Sequence, residues 1–325
     1  MGIIFEKYRN GINLGGWISQ CTYEKAHIAE FITESDIIEI ASWGLDHIRL
    51  PVDYPVLEDD ITPIDRALEW CKSAGLNLVL DMHKAPGYSF NAHAASTFFT
   101  DEAAQNRFVE LWQIITRRYA NEGDNLIFDL LNEVVDAHGD AWNKIARRGI
   151  EAIHAISPER YVLLGGEHYN SSAGLHKLEI YDNPYVLYNF HFYEPMYVTH
   201  QRARWTHLRD TNITQPYPGF VQGVETLRPI FETLQFPKVT EDTMFDIDYL
   251  EKCLAPAIEF AQKHGKELYC GEYGCIGLAG TDARANYTKD VNVLFDKYKM
   301  GRALWSYKKM DFNTVGEDAL IAALK

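Results

Sequence analysis

The stretch Asn125-Leu126-Ile127-Phe128-Asp129-Leu130-Leu131-Asn132-Glu133 decides the architecture. Apolar, β-favouring residues run almost unbroken and then end in an amide and a carboxylate. A near-continuous apolar run of this length is a strand buried on both faces, as in a parallel sheet. An Asn-Glu pair at the end of such a strand is costly in a dry interior. It makes sense where the strand tip opens into a polar cleft. Glu267-Leu268-Tyr269-Cys270-Gly271-Glu272-Tyr273-Gly274 has the same grammar, with Glu272 at its tip.

Working outward, the same type of segment recurs along the chain. Gly11 to Trp17 is a first short strand ending in a glycine-rich turn that matches no phosphate-binding loop. His47-Ile48-Arg49-Leu50-Pro51 is a second strand, stopped by proline, and Leu76 to His83 a third. After the fourth, at 125–133, come Tyr161 to Gly166, Tyr185 to Tyr193, Leu268 to Glu272 and Ala303 to Tyr307. Helical periodicity fills the intervals: Ile37 to Trp43 behind the cap Thr33-Glu34-Ser35-Asp36, Ile64 to Ala74, Asn106 to Tyr119, Trp142 to Ile156, Tyr249 to His264 and Ala285 to Tyr298. Eight strands alternating with helices predict a (β/α)₈ barrel, a fold that places its chemistry at the C-terminal strand ends. One interval is out of line, because more than 70 residues separate the sixth and seventh strands. The segment 195–248 therefore reads as a partly helical inserted subdomain on the catalytic face of a single 1–325 barrel domain. Trp205, Tyr217, Phe220, Phe231 and Phe236 are the candidates for its core, with one or two of them free to stack on a ligand.

Composition narrows the partners. A net charge of −15 leaves no basic footprint for nucleic acid or an anionic membrane and disfavours a phosphorylated substrate. Aromatic residues make up 13%, enough both to fill a core and to stack on the apolar faces of sugars. Cys21, Cys71, Cys253, Cys270 and Cys275 are odd in number and lack metal or redox spacing, so free thiols are expected. No basic-then-apolar leader and no membrane-spanning run is visible, which points to a cytoplasmic, monomeric protein without a cofactor or metal.

The strand tips gather Arg49, His83, Asn132, Glu133, His191, Tyr193, Glu272 and Trp305, nearly all polar. Each alone has an ordinary structural reading: an ion pair for Arg49, satisfied core imidazoles for His83 and His191, core packing for Trp305. Together, two strand-tip carboxylates on the fourth and seventh strands are the minimum equipment for glycoside cleavage.

In these motifs the chain resembles glycoside hydrolase family 5, the family that includes many cellulases. The resemblance rests on His47-Ile48-Arg49-Leu50-Pro51, Asp81-Met82-His83, Leu131-Asn132-Glu133, His191-Phe192-Tyr193, Gly271-Glu272-Tyr273-Gly274 and Leu304-Trp305, and it spans Gly11 to about Phe312. It implies a retaining mechanism with Glu133 as general acid/base and Glu272 as nucleophile. Arg49 and Tyr193 are expected to hold Glu272 as an anion, while burial and that charge raise the pKa of Glu133. The resemblance further implies that Asn132 binds the sugar 2-hydroxyl, that His83 reaches another hydroxyl, that His191 supports the pair and that Trp305 stacks under the cleaved sugar. Retention requires the carboxylates to stand about 5–5.5 Å apart. Two departures from the family pattern are Lys84, where a second histidine is expected, and Ser306, where an amide is expected.

The implied activity is internal cleavage of soluble β-1,4- and mixed-linkage β-glucans and cello-oligosaccharides. An exo-acting β-glucosidase or β-mannosidase is the alternative. A metal-dependent barrel hydrolase would want a His-x-His or a dense His/Asp cluster on one strand tip, and the first strand offers Asn13 and Trp17 instead. A non-catalytic glycan-binding barrel would have no need of the paired glutamates.

Overall fold

The protein is described by a computed structural model covering residues 2–91, 96–135, 137, 140–231 and 237–325, with the side chains of 228–231 outside that description. Eight parallel strands close into a barrel: β1 (Gly11–Asn13), β2 (His47–Asp53), β3 (Asn77–Lys84), β4 (Leu126–Asp129), β5 (Val162–Gly165), β6 (Val186–Phe192), β7 (Leu268–Tyr273) and β8 (Gly301–Leu304). Each strand pairs in parallel with the next, and β8 returns to β1. The helices expected between them are present at Glu34–Ser42, Thr62–Ala74, Glu102–Arg118, Ala141–His154, Ile247–His264 and Thr281–Tyr298.

Local chemistry sets the boundaries. The backbone N–H of Thr33 donates to Asp36 Oδ2 at 2.8 Å, starting the first of these helices. The Asp101 side chain accepts from Ala103 N and Ala104 N and opens 102–118 four residues earlier than periodicity suggests. Pro51 does not stop β2. The strand runs on to Asp53, because Arg49 already faces the last residue of β1, so no ladder neighbour on that side needs a proton from residue 51.

Inside the barrel the residues fall into tiers. The lowest is apolar: Val79, Ile127, Leu163, Leu187, Tyr269 and Ala303, plugged from below by Ile4 and Tyr8 of the helix Ile3–Lys7 and its C-cap. Glu267 fixes that plug by accepting from Ile4 N at 2.9 Å. The next tier is polar and fully buried: Asn13, Arg49, Asp81, Asp129 and Asn189. Above it lie the strand tips.

The 195–248 segment carries the helices Met196–Thr199 and Val224–Phe231 and an antiparallel pair, Gly219–Phe220 with Met244–Phe245. It rests on the helix 281–298, where the Tyr217 hydroxyl donates to Asp290 Oδ2 at 2.8 Å and the ring packs edge-on to Tyr287. Its expected core is only partly correct. Tyr217 is buried, but Trp205 and Phe220 are 52% and 58% exposed. The segment is too thin to enclose them, so its buried side rests on barrel helices. Phe236 lies outside the described residues, as does the side chain of Phe231. The five cysteines are free.

Candidate active site

Arg49 organises the polar tier. Its Nη1 donates to Glu272 Oε1 at 2.9 Å and to Asn13 Oδ1 at 3.0 Å, its Nε to Asp129 Oδ2 at 3.0 Å, and its Nη2 to Asn132 Oδ1 at 3.0 Å. Nη2 also lies 3.1 Å from Asp81 Oδ2. Arg49 is thus not at a strand tip, as its motif suggests. It sits mid-strand beneath the tips and reaches up to them. One buried guanidinium faces three carboxylates, and their field keeps it protonated despite its burial. Burial, working against Arg49, pushes Asp81 and Asp129 up to about 7.

Glu272 owes its orientation to an irregularity in β7. Phe190 pairs with Cys270 but His191 pairs with Glu272, so β7 carries one extra residue, Gly271, relative to β6. Such a bulge re-aims the side chain that follows it. The glycine is required there, since a Cβ would stand 2.9 Å from Asn189 Oδ1 and 3.0 Å from His191 Nε2. Glu272 Oε2 accepts from the Tyr193 hydroxyl at 2.9 Å. Tyr193 in turn is buttressed edge-on by His200 and Phe312.

Glu133 lies four residues beyond β4, at the end of an irregular turn and not on the strand itself. Its φ of +44° is the left-handed region that non-glycine residues seldom occupy. The turn is held by Asn132 N donating to Met82 O at 3.0 Å and by Trp112 Nε1 donating to Leu130 O at 3.1 Å. The Tyr88 hydroxyl donates to Glu133 O at 2.6 Å and accepts from Val135 N at 3.2 Å. Tyr88, an unremarked tyrosine in a loop, thus fixes the backbone of the key carboxylate.

The two carboxylates meet. Glu133, His191 and Glu272 each offer an atom such that the three lie within 4.8 Å of one another, and His191 Nδ1 is 3.1 Å from Glu133 Oε1. That proximity suits direct attack on a sugar carbon, as in the about 5–5.5 Å spacing of a retaining pair, and falls short of the about 6.5–9.5 Å spacing of an inverting pair. Burial first, and then the Glu272 charge, raises the pKa of Glu133 well above the carboxylate range. Glu272 is not simply held as an anion, as the sequence suggests. Burial raises its pKa too, and chiefly Arg49, with the Tyr193 hydroxyl, opposes that rise. Two donors, Arg49 Nη1 and the Tyr193 hydroxyl, sit on Glu272, whereas the Glu133 carboxyl faces the neutral imidazole of His191, so Glu272 loses its proton first.

His191 and His83 are buried and neutral. Burial lowers His191 well below its ordinary value and His83 to about 4. His83 Nδ1 stands 2.7 Å from Asp81 Oδ2, and its ring stacks on Trp305 with centroids 5.8 Å apart and planes 3° from parallel. Trp305 follows β8, anchored by its N–H to Tyr273 O at 2.8 Å, and its ring closely overlies Gly15. The structure therefore brings together all eight tip residues named from sequence. It adds Asn13, Asp81, Asp129, Asn189 and Tyr88, which were not foreseen. A charged residue inside the apolar run 126–131 was the available signal for Asp129. Lys84 turns aside from the site and pairs with Asp53 at 2.9 Å. Ser306 is fully buried. Among the described residues, Glu133, His191 and Glu272 are also the one group spaced to ligate a metal ion, but the guanidinium 2.9 Å from Glu272 would repel a cation there.

A closed parallel barrel with two facing carboxylates at the ends of its fourth and seventh strands defines a class of sugar-cleaving barrel enzymes. The cellulase profile of glycosyl hydrolase family 5 matches residues 8–311, and the chain belongs to that family. It is 43% identical to Endoglucanase C of Acetivibrio thermocellus, over 96% of this chain and 94% of that one. Cellodextrinase A of Ruminococcus flavefaciens is 39% identical over 90% of this chain and 83% of its own length. The endoglucanase Cel5A of Thermotoga maritima superposes with a TM-score of 0.78 over the full length of both chains at 20% identity, a likeness of fold. No helix among the described residues is long and apolar enough to cross a membrane.

Proposed function

We propose that the protein is a retaining endo-β-1,4-glucanase acting on soluble β-1,4- and mixed-linkage glucans and cello-oligosaccharides. The observation that carries this reading is the approach of Glu133 and Glu272 to within 4.8 Å, with Arg49 and the Tyr193 hydroxyl donating to Glu272 while Glu133 faces the neutral His191. In the first step Glu272 attacks the anomeric carbon while Glu133 gives its proton to the leaving oxygen. The glycosyl-enzyme ester removes the negative charge of Glu272, the pKa of Glu133 falls, and Glu133 then takes a proton from the incoming water. His191, neutral and 3.1 Å from Glu133, supports both protonation states. Asn132 is assigned to the sugar 2-hydroxyl, His83 to a neighbouring hydroxyl and Trp305 to the floor of the cleaved sugar. His83 is 1% and Trp305 7% exposed, so each has only a small part of its surface open.

We assign the segment 195–248 as an inserted subdomain at the cleft. Its exposed Trp205 packs against His200 and Phe312, the same two rings that buttress Tyr193, and would extend the binding surface from the Glu272 side. The Endoglucanase C likeness favours internal cleavage, and the Cellodextrinase A likeness favours short soluble chains. Product analysis on cellohexaose, mannohexaose and lichenan tests the assignment. Cleavage of cellohexaose and lichenan at internal bonds is expected. Release of single sugars from one end, or preference for mannohexaose, would replace it with the exo-acting β-glucosidase or β-mannosidase reading. The expected activity is lost in Glu133→Gln and Glu272→Gln.

A further inference from the structure

Asp81 lies in the polar tier at a point where hydrogen-bond donors run out. It pairs with Asp129 across the β3–β4 ladder, and both side chains are fully buried. A guanidinium has five N–H groups. In Arg49 one goes to Asp129, one to Asn13, one to Glu272 and one to Asn132. The last, on Nη2, lies between two carboxylate oxygens, Asp81 Oδ2 at 3.1 Å and Asp129 Oδ2 at 3.0 Å. Asp129 also accepts from Asn189 Nδ2 at 2.8 Å, and Glu272 from the Tyr193 hydroxyl. Asp129 and Glu272 are thus the two carboxylates equipped to be anions, and together they already outweigh the single guanidinium. A third buried anion has no charge to compensate it. Asp81 Oδ1 has no hydrogen-bond partner among the described residues, and the Asp53 charge further disfavours ionisation of Asp81.

The group that does face Asp81 is an imidazole. His83 Nδ1 is 2.7 Å from Asp81 Oδ2, and His83 Nε2 has no partner among the described residues. A neutral imidazole carries one proton, and the partner of one nitrogen decides which nitrogen holds it. An Asp81 carboxylate draws that proton to Nδ1 and leaves a bare lone pair at Nε2. An Asp81 carboxylic acid gives its own hydrogen bond to Nδ1 and leaves Nε2 as an N–H.

We infer that Asp81 is a positioning residue that stays protonated, donates to His83 Nδ1, and so makes His83 Nε2 an N–H donor to a hydroxyl of the bound sugar. The inference rests on the assignment of His83 to a sugar hydroxyl. It gives the tier one cation and two anions, and it spares Glu272 and Glu133 the Asp81 charge that would raise both. His83 is then a donor by virtue of a residue that never touches substrate.

The test reads the proton directly. In wild type carrying isotopically labelled histidine, long-range proton–nitrogen correlation spectra show which ring nitrogen is protonated, and His83→Gln identifies the signals. At about pH 5.5, between about 4 for His83 and about 7 for Asp81, His83 is expected to be neutral with its proton on Nε2. As pH rises through about 7 and Asp81 gives up its proton, the His83 proton should move to Nδ1. In Asp81→Asn the amide oxygen must face Arg49 Nη2, because an NH2 there would meet another donor. The same oxygen accepts from Nδ1, so the variant should hold the reversed tautomer at every pH. Kinetics on aryl β-cellobiosides, with each glycone hydroxyl replaced in turn by hydrogen or fluorine, read the consequence. Fluorine accepts but cannot donate. At the position His83 touches, the fluoro-to-deoxy ratio of kcat/KM is expected to fall about tenfold from wild type to Asp81→Asn. The acidic limb of the profile should stay in place, since a neutral acid has become a neutral amide. A proton on Nδ1 in the wild type at about pH 5.5, a ratio unchanged at every position, or an acidic limb moved to lower pH would each overturn the inference. Failure of the Glu133/Glu272 reading is separable. It would appear in the wild type itself, as no turnover of the aryl cellobioside and no labelling of Glu272.

Discussion

Tyr193→Phe isolates one contact at the heart of the site. It deletes a single hydroxyl, which donates to Glu272 Oε2 at 2.9 Å, and leaves the ring wedged between His200 and Phe312. The Tyr193 hydroxyl has its pKa raised far above the ordinary phenol value by burial and by the Glu272 charge, so it is a donor at every working pH. A hydrogen bond to a charged group contributes about 1.5–3 kcal/mol. Because the bond favours only the ionised form, its loss raises the pKa of Glu272 by about one to two pH units. The sign is definite. The acidic limb of the kcat/KM profile, which reports ionisation of Glu272 in the free enzyme, moves to higher pH. At the plateau the nucleophile itself is less well oriented, and kcat/KM falls about 10- to 100-fold. The assay is initial rates on an aryl β-cellobioside from pH 4 to 9, with the unfolding midpoint measured alongside to show that the ring still packs. A variant within twofold of wild type, with its acidic limb unmoved, would refute the claim that Tyr193 sets the charge state of Glu272.

Other substitutions separate the remaining roles. Glu133 has its pKa raised by burial and by Glu272, so the basic limb of the wild-type profile should lie above the ordinary carboxylate range. Activity is lost there as Glu133 gives up its proton. Glu133→Gln should remove that limb and cut kcat/KM on cello-oligosaccharides by about 10²–10⁴, while a dinitrophenyl leaving group, which needs no proton, loses far less in the first step. Equal losses on both would show that Glu133 is not the proton donor. Gly271→Ala places a methyl 2.9 Å from Asn189 Oδ1 and 3.0 Å from His191 Nε2. Overpacking of this kind costs about 1–3 kcal/mol, visible in urea unfolding, and should displace Glu272 enough to lower kcat. Wild-type stability and rate together would mean that the bulge is not tightly packed.

The barrel was legible because its strands are buried on both faces, so apolar runs marked them without ambiguity and their polar ends marked the site. The paired glutamates and Tyr193 stood out at those polar ends, Arg49 was singled out with them although it lies mid-strand, and the family resemblance supplied their roles. The polar tier beneath them was hidden by the same feature. Asp81 read only as part of the Asp81-Met82-His83 motif and Asp129 as part of the nearly unbroken run 125–133, and nothing in the local pattern says that Arg49 reaches both. Glu133 read as a strand residue, although its turn depends on Tyr88 and Trp112, which arrive from elsewhere in the chain. Pro51 read as a stop because a missing donor matters only when a neighbouring strand needs it, and that depends on where β1 ends. In the segment 195–248, Trp205 and Phe220 read as core because aromatic residues usually are, yet their burial depends on how much chain folds over them.

Reaction with a 2-deoxy-2-fluoro β-cellobiosyl fluoride, followed by mass spectrometry of the intact chain and its peptides, addresses double displacement most directly. The fluorine slows both steps and the fluoride leaving group restores the first, so an ester to the nucleophile accumulates. The expected result is one fluorocellobiosyl group per chain, attached to Glu272. An enzyme that turns over glucans yet never acquires that adduct, or acquires it on Glu133, would contradict the assignment.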